Sequence, residues 1–241
     1  MVDIPPTENV YQGSQFTRKK ITSKDYQLSH FPIRTSMKIF QIDNDTLQDV
    51  CTGSLISKRH VLTAAHCVSF FNSNQLMFDS LYISPIYDNG KQNKDYCSST
   101  VTKIYFFKDW KIYSGEDIAI LELSKPIGES TGWISIGFNN DEDELKNGIF
   151  YKFSYPAITD FRFDSNYYNG DTLYYGYGVV DRYTEHTIGV TNGTGNTGES
   201  GSSLIKIENQ KSGNNGPSSL TTITETLENG KIISKKRIDF F

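Results

Sequence analysis

The sequence predicts an all-β protein, for three reasons. Tyrosine and phenylalanine, which favour strands, occur 15 times each among the 241 residues. Short apolar or alternating segments recur along the chain, and clusters of Gly, Asn and Asp separate them. No long segment has the 3.6-residue period of an amphipathic helix. A chain of this length can form one all-β domain or two smaller ones and still bury a sizeable core.

The predicted strands begin after a polar N-terminal arm, residues 1–20, which contains the basic run Arg18-Lys19-Lys20. The alternation in Met37–Ile42 predicts the first strand. The later candidate strands are Leu81–Ile86, Val101–Phe107, Ile118–Leu123, Ile149–Tyr155, Leu173–Val180, Thr187–Thr191, Ser203–Ile207, Leu220–Thr226 and Ile232–Ile238. A linker-like change in composition at residues 124–148 divides this series into two halves.

The chain is organised around the segment Cys51–Val68, which precedes most of these strands. It predicts a β-hairpin in which Gly53–Ile56 and His60–Thr63 are the arms and a polar turn joins them. The returning arm ends in a short Ala-Ala-His-Cys turn, which places His66 at the end of a strand. A side chain at that position is held by the sheet and can still face a cleft.

Cys51 and Cys67 flank the two arms of this hairpin and can form a disulfide across it. The third cysteine, Cys97, is then left as a buried thiol, an exposed thiol or an intermolecular link. We expect the buried thiol, because free cysteines are among the most buried residues. A disulfide indicates an oxidising compartment, so we expect an extracellular or periplasmic protein. No group of Cys and His has metal-ligand spacing, and we expect no metal site.

Charge and hydropathy exclude further classes of protein. The net charge of −4 argues against general nucleic-acid binding. No apolar run approaches the ~18 residues of a membrane-spanning helix. The stretch Met-Val-Asp-Ile-Pro-Pro at the start lacks the cationic residues and apolar core of a signal peptide.

Three short motifs carry the residue types of nucleophilic catalysis. They are Thr63–Cys67, Asp117–Leu121 and Gly198–Ser202, in the order His, Asp, Ser. With this order and these separations, the chain resembles the trypsin-like (chymotrypsin-fold) serine proteases, nearest the bacterial glutamyl-endopeptidase-like branch. The end of the chain predicts a strand rather than the C-terminal helix of many animal members, which agrees with the bacterial branch.

The resemblance implies two six-stranded antiparallel β-barrels with the active site in the cleft between them. The first barrel, residues 21–130, would carry His66 and Asp117, and the second, residues 131–241, would carry Ser200. In this catalytic triad Ser200 attacks the peptide carbonyl, His66 takes and returns the proton, and Asp117 holds the imidazole. Asp117 begins an otherwise apolar strand, where a buried carboxylate needs a partner such as the imidazole Nδ1–H.

The resemblance also places the oxyanion hole at the backbone N–H groups of Gly198 and Ser200. The implied reaction is acyl transfer to Ser200 followed by hydrolysis, and it needs no cofactor. The α/β-hydrolases carry the motif Gly-x-Ser-x-Gly around their nucleophile, and this chain departs from it. Ser202 occupies the position of its last glycine, and His66 precedes the nucleophile in the chain.

Three positions depart from the family pattern. Glu199 stands where animal members carry the aspartate that pairs with a new N-terminus, so an ion pair after cleavage of the Lys20–Ile21 bond is one alternative. The interpretation we favour is that Arg18-Lys19-Lys20 is a basic run on a flexible arm. Ser203 replaces the usual proline. The candidate substrate-binding strand, Thr221–Thr226, lacks both a glycine and the histidine with which glutamyl endopeptidases read an acidic side chain. Thr224 is nearest the position of that histidine and is our candidate substrate-binding residue.

The sequence thus predicts a monomeric serine endopeptidase that acts on polypeptides. The alternative is a catalytically silent relative that uses the fold as a binding module. The altered late strand and Ser203 favour that alternative, whereas the intact triad opposes it. A glutamyl-specific enzyme is a third possibility, because the nearest branch has that specificity.

Overall fold

The structure is a computed structural model that describes residues 19–21, 28–43, 46–69, 80–108, 110, 116–136, 149–157, 168–179, 182–183, 188–189, 197–206, 223–228 and 231–237. The strands of these residues are β1 Lys19–Lys20, β2 Ser36–Asp43, β3 Thr46–Leu55, β4 His60–Thr63, β5 Ser80–Pro85, β6 Ser99–Phe106, β7 Ala119–Leu123, β8 Ile149–Ser154, β9 Tyr174–Val179, β10 Arg182–Tyr183, β11 Ile188–Gly189, β12 Leu204–Lys206, β13 Ile223–Glu228 and β14 Lys231–Arg237. A four-residue helix, α1 Gly128–Thr131, lies between β7 and β8. This strand-rich architecture confirms the predicted all-β fold.

Six antiparallel strands close into a barrel in the order β2-β3-β4-β7-β6-β5. The barrel closes because β2 pairs with β3 on one side and with β5 on the other. Along β7, buried and partly exposed residues alternate, as the two-residue period of a strand requires. The barrel interior is filled mainly by apolar side chains, including Met37, Ile39, Leu55, Val61, Leu81, Ile83, Leu121 and Leu123. This barrel corresponds to the predicted first half of the fold.

The second half contains a four-stranded sheet in the order β1-β9-β8-β12 and two separate hairpins, β10-β11 and β13-β14. Its core is more aromatic than that of the first barrel and includes Tyr151, Phe153, Tyr155, Leu173, Tyr177 and Ile205. The closed barrel together with this second sheet agrees with the chymotrypsin-like architecture predicted from the sequence. In the described part of the chain, the second half shows four strands in its main sheet rather than the six expected.

Two strands extend beyond the sequence prediction. Lys19 and Lys20, which the prediction assigned to the N-terminal arm, pair with Tyr175 and Tyr174 at the edge of the second sheet. β3 begins at Thr46, several residues before the predicted hairpin arm, and pairs with β2 along most of its length. The N-terminal segment therefore contributes to the second sheet just before the chain enters the first barrel.

Several predicted features lie outside the described residues, or are described only for the backbone. The acidic run Asp141–Glu144 and the Gly-Asn turn at residues 213–216 belong to the first group. β14, Lys231–Arg237, overlaps the predicted strand Ile232–Ile238 and pairs with β13. No helix among the described residues has the length and apolar character needed to cross a membrane.

Candidate active site

The predicted hairpin, with arms Gly53–Ile56 and His60–Thr63, positions the candidate general base, His66. β3 and β4 pair with Ser54 opposite Leu62, and β4 continues into a single 3-10 turn, Ala65–Cys67. The predicted disulfide joins Cys51 to Cys67, with a Cα–Cα distance of 6.1 Å. The backbone on either side of His66 is therefore fixed by the strand before it and by the disulfide after it. The imidazole remains partly exposed, with 26% of its side-chain surface accessible.

Asp117 lies immediately before β7 and is almost fully buried. β7 pairs with β4, with Ala119 opposite Thr63, so the start of β7 lies beside the end of β4. The Asp117 carboxylate accepts two hydrogen bonds from His66, one from the backbone N–H at 2.8 Å and one at the ring Nδ1 at 2.5 Å. An ionised carboxylate at Nδ1 stabilises the tautomer that carries its proton there. Nε2 is then free of a proton and able to accept one.

Ser200 lies on a four-residue turn, Glu199–Ser202, which the Ser202 N–H closes by donating to the Glu199 carbonyl at 3.1 Å. Gly201 is the third residue of this turn and has a φ of +79°, a conformation that strongly favours glycine. Gly198, just before the turn, has a φ of +84°, and a Cβ there would collide with the Tyr155 carbonyl oxygen. Both glycines of the motif are thus required by the backbone path around Ser200.

The turn packs directly against the first barrel beside the His66 strand. A Cβ at Gly201 would collide with the Thr63 hydroxyl and the Thr52 carbonyl, and would lie 3.0 Å from the Ala64 nitrogen. The Thr52 N–H also donates to the Ser200 carbonyl at 2.9 Å. The structure therefore brings the His66–Asp117 pair and the Ser200 turn to one junction between the two halves of the molecule.

A buried ion pair supports the same turn from the second sheet. The Lys152 ammonium lies 3.5 Å from the Glu199 carboxylate, and their side chains are 9% and 1% exposed. The Ser154 hydroxyl, two residues along the same face of β8, donates to the same carboxylate oxygen at 2.9 Å. The sequence suggests a new N-terminus as one partner of Glu199, whereas the structure shows Lys152. The signal in the sequence is a lysine flanked by two aromatic residues, Tyr151 and Phe153, inside a predicted strand.

The structure shows the following for the other residues named in the sequence analysis. Cys97 is an exposed free thiol, so the expected burial is wrong. It lies between the bends at residues 94–96 and the start of β6 at Ser99. Thr224 lies in β13 opposite Lys236, and its substrate-binding role stays a prediction. His60 contacts the Ser57 hydroxyl through Nδ1 at 2.7 Å, which is a local contact within the hairpin turn.

Comparison with known proteins places this chain in a family. The family model described as Trypsin matches residues 21–218. Mouse chymotrypsin-C is 29% identical over 129 residues, which cover 53% of this chain and 45% of that protein. Inactive serine protease 35 of Macaca mulatta is 38% identical over 73 residues, or 26% of this chain and 16% of that protein. The chain thus matches less than half the length of these curated relatives.

The fold also matches solved structures over most of its length. A Glu endopeptidase, solved in complex with MPD, superposes with a TM-score of 0.67 at 18% sequence identity. The match covers 91% of this chain and 89% of the endopeptidase chain. At this identity the likeness establishes a shared fold.

Proposed function

The chain belongs to the trypsin family, and we propose that it is a serine endopeptidase with Ser200 as nucleophile, His66 as general base and Asp117 as the residue that orients His66. The observation that carries this proposal is the contact of the buried Asp117 carboxylate with the imidazole Nδ1 of a partly exposed histidine. The packing of the Ser200 turn against the strand that leads to His66 supports it.

In the proposed reaction the Ser200 oxygen attacks the carbonyl carbon of a peptide bond while Nε2 of His66 takes the hydroxyl proton. The protonated imidazole then gives that proton to the leaving amine, and Asp117 stabilises its positive charge. Water, activated by the same histidine, hydrolyses the ester on Ser200. The carbonyl oxygen becomes negative in the tetrahedral intermediate, and the N–H groups of Gly198 and Ser200 are the proposed donors that stabilise it.

A second candidate function is a catalytically silent binding module. The match to a relative that is named inactive favours it, although that match covers only 26% of this chain. The two candidates differ in whether Ser200 is chemically activated. A silent module has no physical need for an imidazole held by a buried carboxylate next to a serine turn.

For the substrate and the cellular compartment, the proposal names a broad class. We propose that the substrate is a polypeptide and that the protein works in an oxidising compartment outside the cytoplasm, because the Cys51–Cys67 disulfide is stable there. The superposed Glu endopeptidase suggests a test for preference at acidic residues. Cleavage of a peptide library would show this preference as enrichment of Asp and Glu immediately before the cut, and an even distribution would exclude it.

The decisive experiment is intact-mass spectrometry after treatment with diisopropyl fluorophosphate. We expect one phosphoryl adduct on the parent protein and none on Ser200→Ala or His66→Ala. Ser99→Ala, which removes a buried hydroxyl of β6 on the first barrel, is the matched control and should react like the parent. Absence of the adduct before and after limited proteolysis near Lys20 would refute the enzyme and favour the silent module. An adduct that forms only after proteolysis would instead indicate an inactive precursor.

A further inference from the structure

Thr52 is a fully buried residue of β3 that uses all of its hydrogen-bonding groups at the junction between the two halves of the molecule. Its hydroxyl accepts a hydrogen bond from the Tyr155 N–H at 3.0 Å, so the hydroxyl proton is directed to its other neighbour. That neighbour is the Gly198 carbonyl, 2.7 Å away. The Thr52 N–H donates to the Ser200 carbonyl at 2.9 Å, and its own carbonyl accepts from the Thr63 hydroxyl at 2.9 Å.

The two carbonyls that Thr52 binds belong to the two residues whose N–H groups are the proposed oxyanion donors. A bound carbonyl fixes the orientation of the peptide unit that follows its residue. The Gly198 carbonyl fixes the unit that ends at the Glu199 nitrogen, and the Ser200 carbonyl fixes the unit that ends at the Gly201 nitrogen. Thr52 therefore restricts the ψ angles of Gly198 and Ser200 together.

The chain itself gives this segment little stiffness. Gly198 and Gly201 have φ angles of +84° and +79°, and glycine passes between conformations more freely than any other residue. A donor of an oxyanion hole must nevertheless be held at a defined position before the reaction begins. External hydrogen bonds from a rigid strand can supply that restriction. Thr52 is well suited, because its strand lies in the closed barrel and its β-branched side chain has a restricted χ1.

We propose that Thr52 is a positioning residue that holds the oxyanion-forming segment Gly198–Ser200 in its catalytic geometry, across the junction between the first barrel and the second sheet. It does not touch substrate in this role. The inference rests on the proposed function for its catalytic consequence, whereas its structural consequence holds independently of activity.

The test compares Thr52→Val, which keeps the shape and removes both hydroxyl contacts, with Thr52→Ser, which keeps the hydroxyl. Thr35→Val is the matched control, since Thr35 is also fully buried and its hydroxyl donates to the Pro32 carbonyl at 2.7 Å. Two quantities are measured for each variant. One is amide hydrogen exchange of a peptic peptide that covers residues 197–206, and the other is kcat and KM on a peptide substrate.

We expect Thr52→Val to increase exchange in residues 197–206 and to lower kcat by about 10- to 100-fold with little change in KM, because misplaced oxyanion donors act on the transition state. Thr52→Ser should restore most of both quantities. Thr35→Val should leave both at parental values.

The proposal is overturned if exchange and kcat of Thr52→Val match those of Thr35→Val, or if Thr52→Ser is impaired as severely as Thr52→Val. A parent protein that neither cleaves peptides nor reacts with the fluorophosphate would refute the proposed function instead. In that case the exchange measurement still decides whether Thr52 holds the segment.

Discussion

The first barrel and the second sheet hold their parts of the candidate site in different ways. The first barrel carries His66 and Asp117 at the ends of paired strands, close to a disulfide. The second half carries Ser200 on a glycine-rich turn, with positive φ at Gly198 and Gly201. The candidate general base and its orienting residue are thus held by the barrel itself, whereas the candidate nucleophile lies on a turn that also makes contacts with other segments.

Those outside contacts are polar and buried. From the first barrel, Thr52 donates neutral hydrogen bonds to the Gly198 carbonyl just before the turn and to the Ser200 carbonyl within it. From the second sheet, Lys152 and Ser154 bind it through the Glu199 carboxylate. A buried polar contact is costly to break on one side only, because the group left behind is neither hydrated nor paired. We therefore expect changes in the first barrel and in the second sheet to have different effects on kcat and on the free energy of unfolding.

The largest expected effect comes from Asp117→Asn in the first barrel. An amide at this position can donate to Nδ1, which favours the tautomer with the proton on Nε2 and removes the base. We expect kcat to fall by about 10⁴-fold with folding retained, measured by peptide cleavage and thermal melting. Glu122→Gln makes the same chemical change on β7, where the carboxylate binds the surface residue Lys103. That control should stay within about twofold of the parent, and an equal loss in both variants would contradict the assigned role.

The next largest effect is expected for Lys152→Met in the second sheet. This change leaves the Glu199 carboxylate buried without its ammonium partner, which costs about 3–5 kcal/mol in the free energy of unfolding. Urea titration followed by tyrosine fluorescence measures that loss. We expect reactivity of Ser200 toward the fluorophosphate to fall as well, because Glu199 immediately precedes the nucleophile.

The double variant Lys152→Met, Glu199→Gln is the matched control for this pair. Removing both charges leaves no unpaired buried ion, so the double variant should be more stable than Lys152→Met alone. If the losses of Lys152→Met and of the single variant Glu199→Gln simply add up in the double variant, the two side chains are not coupled. In that case the Lys152–Glu199 ion pair does not stabilise the turn Glu199–Ser202.

A smaller loss is expected from removing the disulfide in the first barrel. Cys51 and Cys67 are 16 residues apart, and a loop of this size corresponds to a stabilisation of about 3 kcal/mol. The variant Cys51→Ala, Cys67→Ala should therefore unfold at lower urea concentration. Cys97→Ala changes an exposed thiol and should leave the midpoint unchanged. An unchanged midpoint in the double cysteine variant would show that the barrel strands alone fix the backbone around His66.

The strands were predictable because their signals are local. Alternating residues and flanking turn residues placed β4 at its observed bounds and β8 to within one residue at its C-terminal end. The two-residue strand β1 was not predicted, since two residues have no period and only pairing with β9 defines them. The length of β3 was underestimated for a similar reason. Its first residues are partly fixed by their partner, β2.

The candidate site was predictable only where a motif names the residues. Three short motifs predict His66, Asp117 and Ser200 as catalytic residues. The structure brings those segments together, and the catalytic roles stay predictions. The holding residues were missed because each is defined by a distant partner. Thr52 and Gly198 are 146 positions apart, and a threonine in a strand has no feature that marks such a contact. Lys152 was detectable in principle, because a charged residue inside an aromatic strand needs a buried partner.

The smallest expected effect concerns Ser203, which stands where the family usually has proline. Its hydroxyl is buried and has no hydrogen-bond partner among the described residues. Ser203→Ala removes an unpaired polar atom, so we expect the free energy of unfolding to rise by about 1 kcal/mol in urea titration. Ser99→Ala is the control, because the Ser99 hydroxyl donates to the Thr100 carbonyl and accepts from the Lys125 N–H. That variant should lose stability. A similar loss in Ser203→Ala would show that its hydroxyl is bonded, and that the second half holds the turn with one more polar contact.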